Sequence, residues 1–189
     1  MRNSLSRQMR LLIVYFGEGL FAEILFAYLG SKGINNLWLL HLFTIIDYCL
    51  LIAVFALWQK NILLRRILQI SIPLIIILGI ISILYLENIR HFNNFTRPMT
   101  SLILTMVSAY TLFELNTEKI VSLFREPRFW VCSGVVLYFT STLLIFSLSN
   151  ILLNLPHHLV RVIFEFNIIM NIVANIIYTR GFLCQVRTV

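Results

Sequence analysis

The sequence predicts an all-α fold: a polytopic transmembrane helix bundle with six spans, forming a single domain over residues 1–189. Three observations carry this expectation. Hydrophobic residues make up 59% of the chain and charged residues 12%, roughly half the charged share of a soluble domain. Six apolar runs reach the ~20 residues that a helix needs to cross the hydrocarbon core of a bilayer. The basic residues sit in the breaks between those runs, and their density alternates from one break to the next.

The runs cover residues 11–29, 37–58, 67–86, 99–115, 129–148 and 159–179. Each must be helical, because lipid offers no partner to backbone N–H and C=O groups. The first run follows Arg2, Arg7 and Arg10, which would suit a signal peptide. It is too long for a typical cleaved apolar region, contains Glu18 and Glu23, and is not closed by an A-x-A-like site. A retained helix is expected. The second run is bracketed by Trp38 and Trp58, and the fifth opens on Trp130; amphipathic rings prefer the membrane interface. The third run contains Pro73 one turn in, which should kink it locally. The link over 116–128 (NTEKIVSLFREPR) carries Ile120, Val121, Leu123 and Phe124, the makings of a short helix on the inner surface.

Orientation follows from Lys and Arg. Eleven lie on one side: Arg2, Arg7, Arg10, Lys60, Arg65, Arg66, Lys119, Arg125, Arg128, Arg180 and Arg187. Four lie on the other: Lys32, Arg90, Arg97 and Arg161. The positive-inside rule then predicts that both termini are cytoplasmic. Cys49, Cys132 and Cys184 fall in the inner half or the cytoplasm, where thiols stay reduced. Their odd number and the lack of a CxxC or Cys/His cluster argue against a disulfide framework and a zinc site. The net charge of +7 would suit nucleic acid only if it formed a basic face on a soluble fold. The expected partner is the lipid bilayer, with no nucleic acid.

Ionisable residues inside the spans are the functional signal, since each costs at least ~2.5–3.5 kcal/mol at the bilayer centre. Glu18, Glu23, Asp47 and Glu165 lie well inside; Glu114 lies near the inner end of the fourth span, and His41 and Arg161 lie toward the outer side. At 1.5 Å per residue, Asp47 is central in the second span, and Glu23 about 5 Å outward of the centre of the first. Asn167 and Asn171 fall within roughly 4 Å of the centre of the sixth, with Glu165 about 7 Å outward. Glu23, Asp47, Glu165, Asn167 and Asn171 would therefore share one layer.

Helical phase gives the faces. Gly19, Glu23, Ala27 and Gly30 are spaced by four, four and three, so small residues would bring Glu23 into the bundle. Glu18, five residues earlier, points about 140° away. Asn167, Asn171, Asn175 and Tyr178 form a polar stripe readable as interhelical glue, beside an Arg161–Glu165 i,i+4 pair readable as a structural pair. The fifth span adds a milder polar run of Ser133, Gly134, Tyr138, Thr140, Ser141 and Thr142. Glu23 and Asp47, with few cations near, must hold a proton, bind a cation or face water. The candidate ligand- or ion-binding residues are Glu23, Asp47, Glu165, Asn167, Asn171, Asn175 and His41, the last a plausible proton carrier. HExxH, GxSxG, GxGxxG and Walker A motifs are absent, and His157–His158 sits in an outer loop without acids. No catalytic residue, metal ligand or cofactor is assigned.

At NNLWLLHLFTIIDY (35–48), PRFWVCSGVVLYFTSTLLIFSLSN (127–150) and FNIIMNIVANIIY (166–178), the chain resembles a group of small multipass membrane proteins common in Bacteroidota. The resemblance covers most of the chain from Glu23 onward and is most specific in the fifth span. It implies a bacterial inner-membrane location and carries no activity. The group often has Glu where this chain has Asp47, and often seven spans.

The leading functional expectation is a non-enzymatic sensor-like or ligand-binding membrane module with its polar site between the first, second and sixth spans. The cytoplasmic segments are too small for a kinase or nucleotide site, so any output needs a separate cytoplasmic or membrane signalling partner. The alternatives are a small proton or cation transporter or channel using Glu23 and Asp47, and a membrane-embedded enzyme acting on lipid.

Overall fold

A computed structural model describes residues 6–86, 93–117, 123–152 and 155–188. All regular structure among them is helical. In chain order it comprises α1 (Arg7–Ser31), α2 (Leu37–Trp58), α3 (Ile62–Ile81) ending in a π turn (Ser82–Leu86), and α4 (Thr96–Thr117). A short 3-10 turn (Leu123–Arg125), α5 (Pro127–Ser147), α6 (Ser149–Leu152) and α7 (His157–Thr188) follow. Six of these helices are long and apolar enough to cross a membrane, as the hydropathy predicts, and the protein is a multipass membrane protein of the all-α class.

Five of the six spanning helices, all but α2, start before their apolar runs, and polar side chains cap two of those starts. Ser6 caps α1 by accepting from the Met9 N–H. Asn61 caps α3 by accepting from Leu63 and Leu64. These side chains satisfy N–H groups that a helix start leaves without partners. The earlier start places Pro73 about three turns into α3. The helix continues through it, so the missing N–H removes one hydrogen bond without ending the helix. Trp38 and Trp58 lie at the two ends of α2, and Trp130 lies in the first turn of α5. Residues 118–122 of the expected surface helix, with Arg2 and Arg90, lie outside the described residues; the described remainder of that link is the end of α4, the 3-10 turn, Glu126 and the start of α5.

A single domain is expected from the sequence; the contacts group the described residues into two compact units, with the division falling inside α4 between Thr100 and Ser101. In the Ser6–Thr100 unit, α2 is flanked by α1 and α3. Ala22, Leu25, Phe26 and Leu29 of α1 pack on Leu39, Phe43 and Ile46 of α2. On the other side, α3 approaches closely at Gly79, where an added Cβ would stand 2.7 Å from Ile45 Cδ1. The buried Tyr48 hydroxyl donates to Ser71 Oγ at 2.8 Å, and Ser71 donates to the Leu68 carbonyl. Lipid is as apolar as leucine, so close packing and such hydrogen bonds, not the hydrophobic effect, hold spans together.

In the Ser101–Val189 unit, α5 and α7 form the main packed pair. The Tyr178 ring lies over Gly134, whose missing Cβ would stand 2.6 Å from Tyr178 Cε1. Ser141 Oγ donates to Asn167 Oδ1 at 3.2 Å. One end of the pair carries an aromatic cluster of Phe124, Phe129 and Trp130, with Arg180 over the Trp130 ring. The Trp130 indole N–H donates to the Phe124 carbonyl at 2.9 Å.

One expected face is corrected. The small-residue stripe of α1 does not pack: Glu23, Ala27 and Gly30 are exposed, and a Cβ at Gly19 would meet nothing within 4 Å. The buried face runs through Met9, Leu12, Tyr15 and Ala22, with Glu18 half-buried along it.

Candidate functional site

α2 carries Thr44, Asp47 and Tyr48 through the middle of its span. Thr44 donates to the Leu40 carbonyl at 2.6 Å, as a hydroxyl in an apolar helix commonly does. That leaves its oxygen facing α4. The Asn93 amide donates to Thr44 Oγ1 at 3.4 Å, and Arg97 NH1 lies 3.5 Å from the same atom. Thr44 stands seven residues beyond Leu37, the first residue of α2, a distance of about 10 Å along the axis. The start of α4 is therefore level with a point two turns inside α2. Asn93 is fully buried, and its Oδ1 accepts from the Arg97 backbone N–H at 2.8 Å. Non-helical backbone at membrane depth is tolerated where protein covers it, and Asn93 supplies that cover.

This recessed start carries Arg97 into the unit. Its NH1 donates to Asp47 Oδ2 at 2.7 Å, with the two side chains 10% and 14% exposed. Sequence counting places Arg97 among the outer-side loop cations and leaves Asp47 with few cations near. The structure corrects both: Arg97 is a first-turn helical residue, and it is the partner of Asp47.

Glu18 completes the cluster from α1. It comes close enough to Asp47 and Arg97 to interact electrostatically with both. Both Glu18 oxygens are buried, and no donor among the described residues reaches them. The arrangement is two neighbouring carboxyls with one guanidinium bound to one of them.

The predicted residues distribute as follows. Asp47 is in the cluster. Glu23 is exposed and makes no hydrogen bond or ion pair among the described residues, so the acid that α1 brings to Asp47 is Glu18. His41 is buried in α2, about one turn from Thr44. Glu165 pairs with Arg161 at 2.8 Å as their spacing implies, and both side chains are exposed, at 53% and 80%. Asn167 accepts from Ser141, and Asn175 donates to Asn171 at 3.0 Å. Glu23 and Asp47 belong to the Ser6–Thr100 unit, and Glu165, Asn167 and Asn171 to the other. Sequence reasoning missed Arg97, Thr44 and Asn93 and set Glu18 aside. Pro98 was the available signal, because proline favours the first turn of a helix and so marks a start just before itself.

Among the described residues, no three His, Cys, Asp or Glu side chains group as a metal site. No family model, curated protein or solved structure matches the chain.

Proposed function

We propose that the protein is a non-enzymatic membrane module that binds a proton or a small monovalent cation at the Glu18–Asp47 carboxyl pair. The observation that carries this reading is the nearness of the Glu18 and Asp47 carboxyls, with both Glu18 oxygens buried and reached by no donor among the described residues. With both ionised, Arg97 offsets one negative charge and leaves one. A net charge inside a span is costly, and one proton or one monovalent cation between the carboxyls neutralises it. The ligand-binding module expected from the sequence is retained, with the site moved from Glu23 to Glu18 and confined to the Ser6–Thr100 unit. An inner-membrane location with cytoplasmic termini belongs to the same proposal; it rests on the alternation of Lys and Arg.

The test uses the full-length chain in detergent. A ligand that binds the folded state raises its stability by mass action. Melting temperature should rise on acidification or on adding sodium, potassium or lithium. Glu18→Gln should flatten that response, while Glu23→Gln, on the exposed face, should keep it. An unchanged response in Glu18→Gln would overturn the site. Flux into liposomes then separates the two classes: a transporter loses proton or cation flux in Asp47→Asn, and a sensor-like module binds without flux.

A further inference from the structure

α7 is packed on one side and open on the other. Its packed side meets α5 through Tyr178, which lies over Gly134, and through Gly181, whose Cβ would stand 3.2 Å from Val131 Cγ2. On the open side lie Arg161, Glu165, Ile168, Ile172, Asn175 and Thr179. Their spacing is four, three, four, three and four residues, the alternation of the a and d positions along a coiled-coil seam. Helical phase holds all six within about 80° of arc. Such a stripe is out of place against lipid. Glu165 and Asn175 stand about 7 and 8 Å either side of the centre of the apolar run over 159–179, inside the ~15 Å half-thickness of the hydrocarbon core. Polar and ionisable residues at that depth almost always face protein or water. Asn175 donates to Asn171 Oδ1 at 3.0 Å, while its own Oδ1 accepts nothing among the described residues. The Arg161–Glu165 pair is open as well, its side chains 80% and 53% exposed. A lipid-depth face with a charge pair, an amide and two isoleucines at seam spacing calls for a protein partner.

We propose that this face of α7 is the interface of a parallel homodimer, occupied by α7 of a second copy of this chain. Complementarity of charge and hydrogen bonding points to a second copy. Copies inserted in one membrane share an orientation, so their two-fold axis runs along the bilayer normal. The contact is then isologous, and each residue meets the second copy at its own depth or one turn away. Asn175 meets Asn175 of the second copy. A carboxamide is both donor and acceptor, so the two complement each other and the open Oδ1 gains a donor. Arg161 meets Glu165 of the second copy while Glu165 meets its Arg161, which joins two ion pairs into a neutral set of four. A partner of different sequence would need an amide and a charge pair at these same depths. Ile168 and Ile172, 58% and 55% exposed, fill the middle of the seam, and its spacing suits the left-handed crossing of about 20° common among membrane helices. A polar residue within such a seam sets its register, and the charges set partner choice more than strength. The interface lies wholly on the Ser101–Val189 unit and does not draw on the carboxyl site.

The test uses the full-length chain in the membranes of the cells that express it. On mild oxidation, Ile168→Cys and Ile172→Cys should each form a dimer linked through the introduced cysteine, as peptide mass spectrometry reads it with the native cysteines in place. Phe166→Cys, 49% exposed and about 160° around the helix from Ile168, should not. Resonance energy transfer between two labelled populations in liposomes then measures the dimer. Asn175→Leu should weaken it about three- to thirty-fold, the worth of one interhelical hydrogen bond. Arg161→Glu and Glu165→Arg should each self-associate less than the wild type, and a mixture of the two should form mixed dimers in preference to either alone. A pair that acts only within its own helix gives no such preference. A wild-type chain that stays monomeric as its density in the bilayer rises overturns the dimer, as does an Asn175→Leu dimer as tight as the wild type. Links from position 168 or 172 to another segment of the same chain or to a different protein, or an absence of mixed-dimer preference, overturn it equally.

Discussion

Replacing Arg97 by methionine tests the cluster most directly. The side chain is 10% exposed and its guanidinium donates to Asp47 at 2.7 Å, with a further contact to Thr44 at 3.5 Å. Arg97→Met keeps most of the aliphatic volume and removes the charge. Asp47 is then left beside Glu18 with two acids and no cation. Breaking a buried pair by removing one partner costs about 3–5 kcal/mol, because the remaining charge is uncompensated. For a chain of this size that is a drop of ~10 °C in melting temperature. Arg97→Met/Asp47→Leu removes both charges and should recover most of the loss, since apolar replacement of a whole buried pair is often neutral. Arg161→Met provides the internal control. Its pair with Glu165 is 80% and 53% exposed, and such exposed pairs contribute below about 1 kcal/mol. Thermal unfolding in detergent reads all three. An Arg97→Met protein that melts with the wild type, or a double mutant no more stable than the single, would refute the argument.

Three other expectations concern packing and topology. Gly134→Ala places a Cβ 2.6 Å from the Tyr178 ring and should destabilise by about 1–3 kcal/mol through overpacking. Gly19→Leu, on the open face of α1, should leave the melting temperature unchanged; the opposite ranking would contradict the α5–α7 and α1 assignments together. Tyr48→Phe loses the donor to Ser71 and should cost about 1 kcal/mol. Adding Ser71→Ala to it should cost little more, and full additivity in that cycle would show that the two hydroxyls do not interact. In intact cells an impermeant thiol reagent should label cysteines placed at Lys32 and Pro156 but not at Arg65 and Arg125; labelling at both Pro156 and Arg125 would break the six-span topology.

The spans were legible because hydrocarbon thickness imposes a length and lipid imposes helix. The second helix runs over Leu37–Trp58, the same bounds that its apolar run sets. The start of α4 was less legible. Read as a loop, Asn93 to Pro98 is a mostly polar break; read with proline as a first-turn residue, it is a helix start. Only the contact with Thr44, 49 residues away in sequence, fixes how deep that start lies. The face of α1 was misread for a related reason. Small residues permit close approach but do not require it, and nothing local says which side of a helix its neighbour will take. Glu18 and Glu23 are about 140° apart on that helix, so the choice of face decided which acid meets Asp47.

The two units handle polar groups in their spans by different means. In the Ser101–Val189 unit, neutral groups bond to neutral groups, Ser141 to Asn167 and Asn175 to Asn171, and the Arg161–Glu165 pair is exposed. The Ser141–Asn167 bond joins α5 to α7 at no cost in buried charge, and an interhelical bond of this kind is worth about 0.6–2 kcal/mol in a membrane. The Ser6–Thr100 unit also has that option and uses it between Tyr48 and Ser71. Its Glu18–Asp47–Arg97 cluster is therefore not needed as adhesive. An ion pair in a buried setting is a poor stabiliser compared with apolar packing of the same volume, and a second carboxyl beside it makes it poorer still. What such a cluster does provide is a charge that one bound proton or cation can switch off. Three elements, α1, α2 and the first turn of α4, each contribute one charged group to it. Neutralising that charge therefore changes the attraction among all three at once, which is the property a membrane module needs if binding is to alter its helix packing.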